Sequence, residues 1–117
     1  MEHRMELIWL LDFYGPMLSL RQRELLAMYC EEDMSLSEIA DQQGVTRQAV
    51  YDAVNKAERK LNQAEAELGL VRRYTALRTV LAQCLEHLRR VKPLPGSEGQ
   101  YSAALEKLLE IESIEGA

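Results

Sequence analysis

Apolar residues recur along this chain at steps of three and four, the period of helices packed on one face. No stretch alternates as a half-buried strand would, and no internal repeat is present. The run Leu7-Ile8-Trp9-Leu10-Leu11-Asp12-Phe13-Tyr14 predicts a short helix that Gly15-Pro16 ends. Ser19-Leu20-Arg21-Gln22 has the form of a capping box. The helix behind it is expected to turn Leu20, Leu25, Met28 and Tyr29 inward and to run to about Tyr29. Glu31-Glu32-Asp33 reads as an acidic turn. A second capping box, Ser35-Leu36-Ser37-Glu38, opens a short helix with Leu36, Ile39 and Ala40 inward.

Gly44 stops that helix where a left-handed backbone is needed, and Thr46 caps the next. Val50, Ala53, Val54, Ala57, Leu61, Ala64 and Leu68 then form a stripe of helical period reaching Gly69. A further helix is expected over about 71–91. Its Tyr74, Leu77, Leu81, Cys84, Leu88 and Val91 alternate steps of three and four as a heptad seam, which Val80 and Leu85 widen. Pro93-Leu94-Pro95-Gly96 breaks the chain. Ser97-Glu98-Gly99-Gln100 starts a last helix carrying Tyr101, Leu105, Leu108, Leu109 and Ile111. The expectation is an all-α fold: a helix-turn-helix domain over 1–68, without a wing, and a helical arm over 69–117 that serves dimerisation.

The stretch LSEIADQQGVTRQAVYDAVNKAERKL, residues 36–61, carries the helix-turn-helix signal. Ala40 is small where the two helices cross, and Gly44 tolerates positive φ in the turn. Val45 is expected to plug the corner, and Val50 to face back onto the first helix. If the second helix enters a major groove, its outward face is Thr46, Arg47, Gln48, Tyr51, Asn55, Lys56 and Arg59. Arg pairs with guanine and Gln with adenine, so Arg47 and Gln48 suit base edges. Thr46 and Arg59 suit phosphates, and Asp52 on the same face repels them.

Charge changes this picture. The net charge is −5, whereas a dedicated DNA-binding domain is usually basic as a whole. The positive charge is concentrated in 71–92, where Arg72, Arg73, Arg78, Arg89, Arg90 and Lys92 face the single acid Glu86. That belt either follows a nucleic-acid backbone or flanks the seam in salt bridges with Glu65, Glu67 and the C-terminal glutamates. No apolar run is long enough to span a membrane, and the N-terminus lacks the basic start of a secretory signal. Cys30 and Cys84 read as reduced core cysteines, which with the missing signal predicts a cytoplasmic place.

Catalysis is not expected. Cys84 and His87 share a helix face, but the ligands that would complete a zinc site, Cys30 and His3, are far off in sequence, and His3 lies in an N-terminus expected to fray. No Gly-rich phosphate loop and no nucleophile–base set is present, so neither enzyme activity nor a cofactor nor a metal is predicted.

Leu11-Asp12-Phe13-Tyr14, Leu20-Arg21-Gln22-Arg23, SLSEIADQQGVTRQAVYD and AERKL together resemble the YlxM family of small bacterial proteins, over about residues 5–75. TRQAVYD at 46–52 is the most specific part. Residues 19–61 also resemble region 4 of bacterial sigma factors, where a similar helix-turn-helix reads a promoter element. The YlxM resemblance implies a helical homodimer with a regulatory role in the signal recognition particle pathway of protein targeting. Its implied partner is the particle's RNA, its GTPase protein, or duplex DNA controlling the pathway. The sigma resemblance implies instead a sequence-specific DNA-binding regulator. Neither resemblance supplies binding residues; the outward face of 46–59 follows from helix geometry alone.

Overall fold

The computed structural model describes residues 2–115, which divide into two compact units at Arg72–Arg73. Six α-helices are present among the described residues: α1 (Glu2–Tyr14), α2 (Leu20–Cys30), α3 (Leu36–Gln43), α4 (Arg47–Leu68), α5 (Leu70–Leu88) and α6 (Glu98–Glu115). No strand occurs among them.

In the first unit α4 is the central element and packs against α1, α2 and α3. Its stripe Val50, Val54, Ala57, Leu61 and Ala64 is buried, with Val50, Ala57 and Leu61 fully removed from solvent. α1 adds Leu7, Leu10, Leu11 and Tyr14, and α2 adds Leu25, Leu26 and Cys30. α1 begins earlier than its apolar run suggests, because His3 is already helical and meets Glu58 of α4 (Nε2 to Oε1, 3.1 Å). Arg4 stacks on the Tyr29 ring at 5.3 Å and pairs with Asp33, tying α1 to the acidic turn.

Both capping boxes form. Ser19 accepts from the Gln22 backbone N–H while the Gln22 side chain accepts from that of Ser19, and Ser35 and Glu38 do the same. The bonds from Ser35 also hold the Glu38 carboxyl below its ordinary pKa. Leu20 departs from expectation: it is 71% exposed, and Leu18, just ahead of the cap, is buried instead. The box fixes where α2 starts, and Leu20 then stands five residues before Leu25, far round the helix from the buried face.

Cys30 is buried as expected, and desolvation with the nearby Glu31 charge pushes its thiol up to about 11. Cys84 is exposed, which corrects the reading of both cysteines as core residues.

The second unit holds most of α5, and α6. The Tyr101 hydroxyl donates to the Leu88 carbonyl, fastening the start of α6 to the end of α5. The heptad seam is only partly realised. Tyr74, Leu81 and Leu88 are half-buried, Leu77, Cys84 and Val91 are exposed, and the buried residue is Leu85. Two helices are too few to enclose so wide an apolar stripe. Leu77, Val80, Leu81 and Cys84 of α5 therefore line an open apolar groove with Leu108 and Ile111 of α6.

Candidate nucleic-acid interface

The turn between α3 and α4 sets the interface. Ile39 and Ala40 are buried on α3, and Val50 is buried on α4. Gly44 takes φ +67°, and the Val45 N–H reaches back to the Ala40 carbonyl at 3.1 Å, satisfying the end of α3. A Cβ on Gly44 would meet nothing within 4 Å, so glycine is required here by backbone conformation rather than by space. Val45 is 37% exposed, so it covers the corner from outside and does not fill it as the sequence suggested.

α4 starts behind the Thr46 cap, whose hydroxyl oxygen accepts from the Ala49 N–H at 3.0 Å. That bond leaves the hydroxyl proton available to a phosphate. Because one face of α4 is buried through Val50, Val54, Ala57 and Leu61, its opposite face must point outward. Thr46, Arg47, Gln48, Tyr51, Asp52, Lys56 and Arg59 are all exposed, and Asn55 is half-buried beside them. Arg47, Tyr51, Asn55 and Arg59 follow one another at i,i+4, with Gln48, Asp52 and Lys56 as the adjacent row.

Two contacts near this face escaped the sequence reading. The Gln48 side-chain amide donates to the Asp52 carboxylate at 3.0 Å. The i,i+4 spacing of Gln and Asp signals that pair, in which Asp52 is a hydrogen-bond acceptor as well as a charge that repels phosphate. Arg21 of α2 donates to the Gln43 side-chain amide oxygen at 3.4 Å, placing a cation beside the end of α3. Nothing in the sequence marks that contact, since its partners lie 22 residues apart.

A third constellation sits at the other end of α4. The buried Tyr14 hydroxyl donates to Glu65 Oε1 at 2.7 Å and accepts from the Leu70 N–H at 3.0 Å. Glu65 also accepts from the Val71 and Arg72 backbone N–H groups, each at 3.0 Å. Gly69 at φ +63° turns the chain so that these donors face the carboxylate. Desolvation opposes ionisation of Glu65, but the bonds from Tyr14, Val71 and Arg72, with the Arg72 charge, outweigh it and lower the pKa. Burial, and then the bond to Glu65, raise that of Tyr14. Glu65 thus caps the start of α5, and the charge of Arg72, from the basic belt, helps to keep it ionised. In the belt itself, Arg89 and Arg90 pair with Glu86 at 4.0 and 3.0 Å, and Arg78 donates to the Tyr74 hydroxyl.

A small helix, a glycine turn and a longer helix with a polar outer face, seated on a four-helix core, define a helix-turn-helix protein. A family model described as "Putative helix-turn-helix protein, YlxM / p13 like" matches residues 1–95. The chain belongs to this family, UPF0122. It is 36% identical to a UPF0122 protein of Geobacillus kaustophilus, over 96% of this chain and 99% of that one. It is 44% identical to a UPF0122 protein of Symbiobacterium thermophilum, over 69% of this chain and 76% of the other. A relative from Desulforamulus reducens is 38% identical, over 85% and 86% of the two chains. No helix among the described residues is long and apolar enough to cross a membrane.

Proposed function

We propose that this chain is a regulatory binding protein, not a catalyst, that engages duplex DNA through the outer face of α4. The observation that carries this reading is the exposed row from Thr46 to Arg59 on a helix whose other face is buried. Thr46 and Arg59 hold phosphates, Arg47 and Gln48 meet base edges, and Tyr51, Asn55 and Lys56 fill the flanks. A cytoplasmic place goes with this reading, since the nucleic acid is there. Duplex binding should weaken steeply with salt, in proportion to the phosphates neutralised. Arg47→Ala is expected to weaken binding by about tenfold or more, and Arg59→Ala to lower the salt slope by about one. Fluorescence anisotropy over a salt series reads both. Unchanged affinity in Arg47→Ala and Gln48→Ala would remove α4 from the interface.

The protein works as a homodimer in this reading, through the second unit. α5 and the loop after it are strongly basic, α6 carries five glutamates against one lysine, and both helices expose apolar residues. A second copy presents the same opposed charges, so α5 of one chain suits α6 of the other about a two-fold axis. Light scattering should give a dimer at micromolar concentration, and Leu77→Glu should give a monomer. A monomeric wild type sinks this part of the reading.

A second reading places the protein as an accessory factor of the signal recognition particle pathway, bound to its RNA or protein. The resemblance carried by TRQAVYD and the acidic net charge of −5 favour it. Recovery of that particle's RNA or protein from host lysate, with no duplex DNA binding in vitro, would select it over the first.

A further inference from the structure

We propose that Asp52 sets the sequence specificity of α4 by holding the Gln48 amide in the orientation that reads adenine. This rests on the reading of α4 as the helix that enters the groove. A carboxylate can only accept, so the Gln48 side chain must turn its NH₂ group toward Asp52, as the 3.0 Å bond requires. One N–H is then committed, and one N–H and the carbonyl oxygen remain. The major-groove edge of adenine offers N7 as an acceptor and N6 as a donor, the complement of what remains on Gln48. An exposed glutamine alone rotates among orientations and pays entropy to settle in one. Here the partner one turn along the same helix selects it in advance.

The charge of Asp52 has a second effect on the same face. Beside Arg47, Lys56 and Arg59 it repels phosphate, which lowers affinity for every duplex alike. A reader that is weak on backbone and oriented on bases gains in the ratio of specific to non-specific binding. Asp52 is therefore a positioning residue: it acts through Gln48 and through the field around it.

The two effects separate by substitution. Asp52→Asn keeps a carbonyl that can accept from Gln48 but removes the charge. Asp52→Ala removes both. Sites are first enriched from a random duplex pool with the full chain, and the enriched and scrambled duplexes are then titrated over a salt series. The wild type should prefer adenine at one position by on the order of tenfold. Gln48→Ala should lose that preference. Asp52→Asn should keep it while binding both duplexes more tightly, with a steeper salt slope. Asp52→Ala should bind both more tightly and lose the preference. Retention of the adenine preference in Asp52→Ala, or its loss in Asp52→Asn, overturns the positioning role. So does an Asp52-dependent preference for cytosine, which would make the carboxylate itself the reader. Failure of the wild type to bind any duplex overturns the reading of α4 as a whole, whereas binding indifferent to Asp52 overturns only this inference. Asp52 is exposed, so thermal melts of the variants should match the wild type.

Discussion

Leu61→Ala is expected to destabilise the first unit by about 2–5 kcal/mol, the range for emptying a fully buried leucine site. Leu61 is 0% exposed and lies at the middle of α4, in the cluster that joins α4 to α1 and α2. The loss has two parts: the transfer of the side chain's methyl groups to water, and the dispersion contacts that its neighbours lose around the void. Small domains are stable by about 5–15 kcal/mol, so this one change consumes a large share. Urea unfolding followed by far-UV circular dichroism reads it as a lowered midpoint. A change below about 1 kcal/mol would mean that the α4 stripe is not the core. Loss of duplex binding in this variant, which removes no outward residue, should follow the loss of fold and return at lower temperature.

Glu65→Gln is expected to cost about 1.5–3 kcal/mol near neutral pH, as bonds to a charged acceptor are lost or weakened. The carboxylate takes the Tyr14 hydroxyl and two backbone N–H groups at once, and a neutral amide serves them poorly. Its sign with pH follows from the lowered pKa. A carboxyl whose folded pKa lies below its unfolded value of 4.5 adds stability that is fully present above that value. The contribution disappears as pH falls through the folded pKa. Wild type should therefore lose stability below about pH 4.5, and Glu65→Gln should lose less over the same range. Thermal melts at pH 7 and through the acid range give both numbers. Equal acid sensitivity in the two proteins would show that Glu65 does not bind its proton differently on folding.

Much of the helix-turn-helix was legible in the residues themselves. Ala40, Gly44, Thr46 and Val50 act over a few positions, and each has one structural use, set by its side chain or, at Gly44, by the lack of one. The two capping boxes were legible for the same reason, as were the limits of α4 at Thr46 and Gly69. Tyr14 and Glu65 were not, because their partnership spans 51 residues and no periodicity encodes it. Periodicity tells which residues share a face but not how much neighbouring surface covers that face. Hence Leu85, a mere widening of the seam in sequence, is the buried residue of α5, while Leu77 and Cys84 on the seam stay open. In the candidate interface the outward positions followed from the buried stripe, but the Gln48–Asp52 bond needed rotamers as well as spacing.

The two ends of α4 have separate tasks, and the length of the helix keeps them apart. At about 1.5 Å per residue, Arg47 and Glu65 stand about 27 Å apart along the axis. Screening in cells fades charge effects over about 8 Å. If α4 reads duplex DNA as proposed, its outward positions Arg47, Gln48, Tyr51 and Arg59 can therefore be changed without disturbing the Tyr14–Glu65 clasp. On that reading, a lineage of such proteins is free to change its target while inheriting the same scaffold.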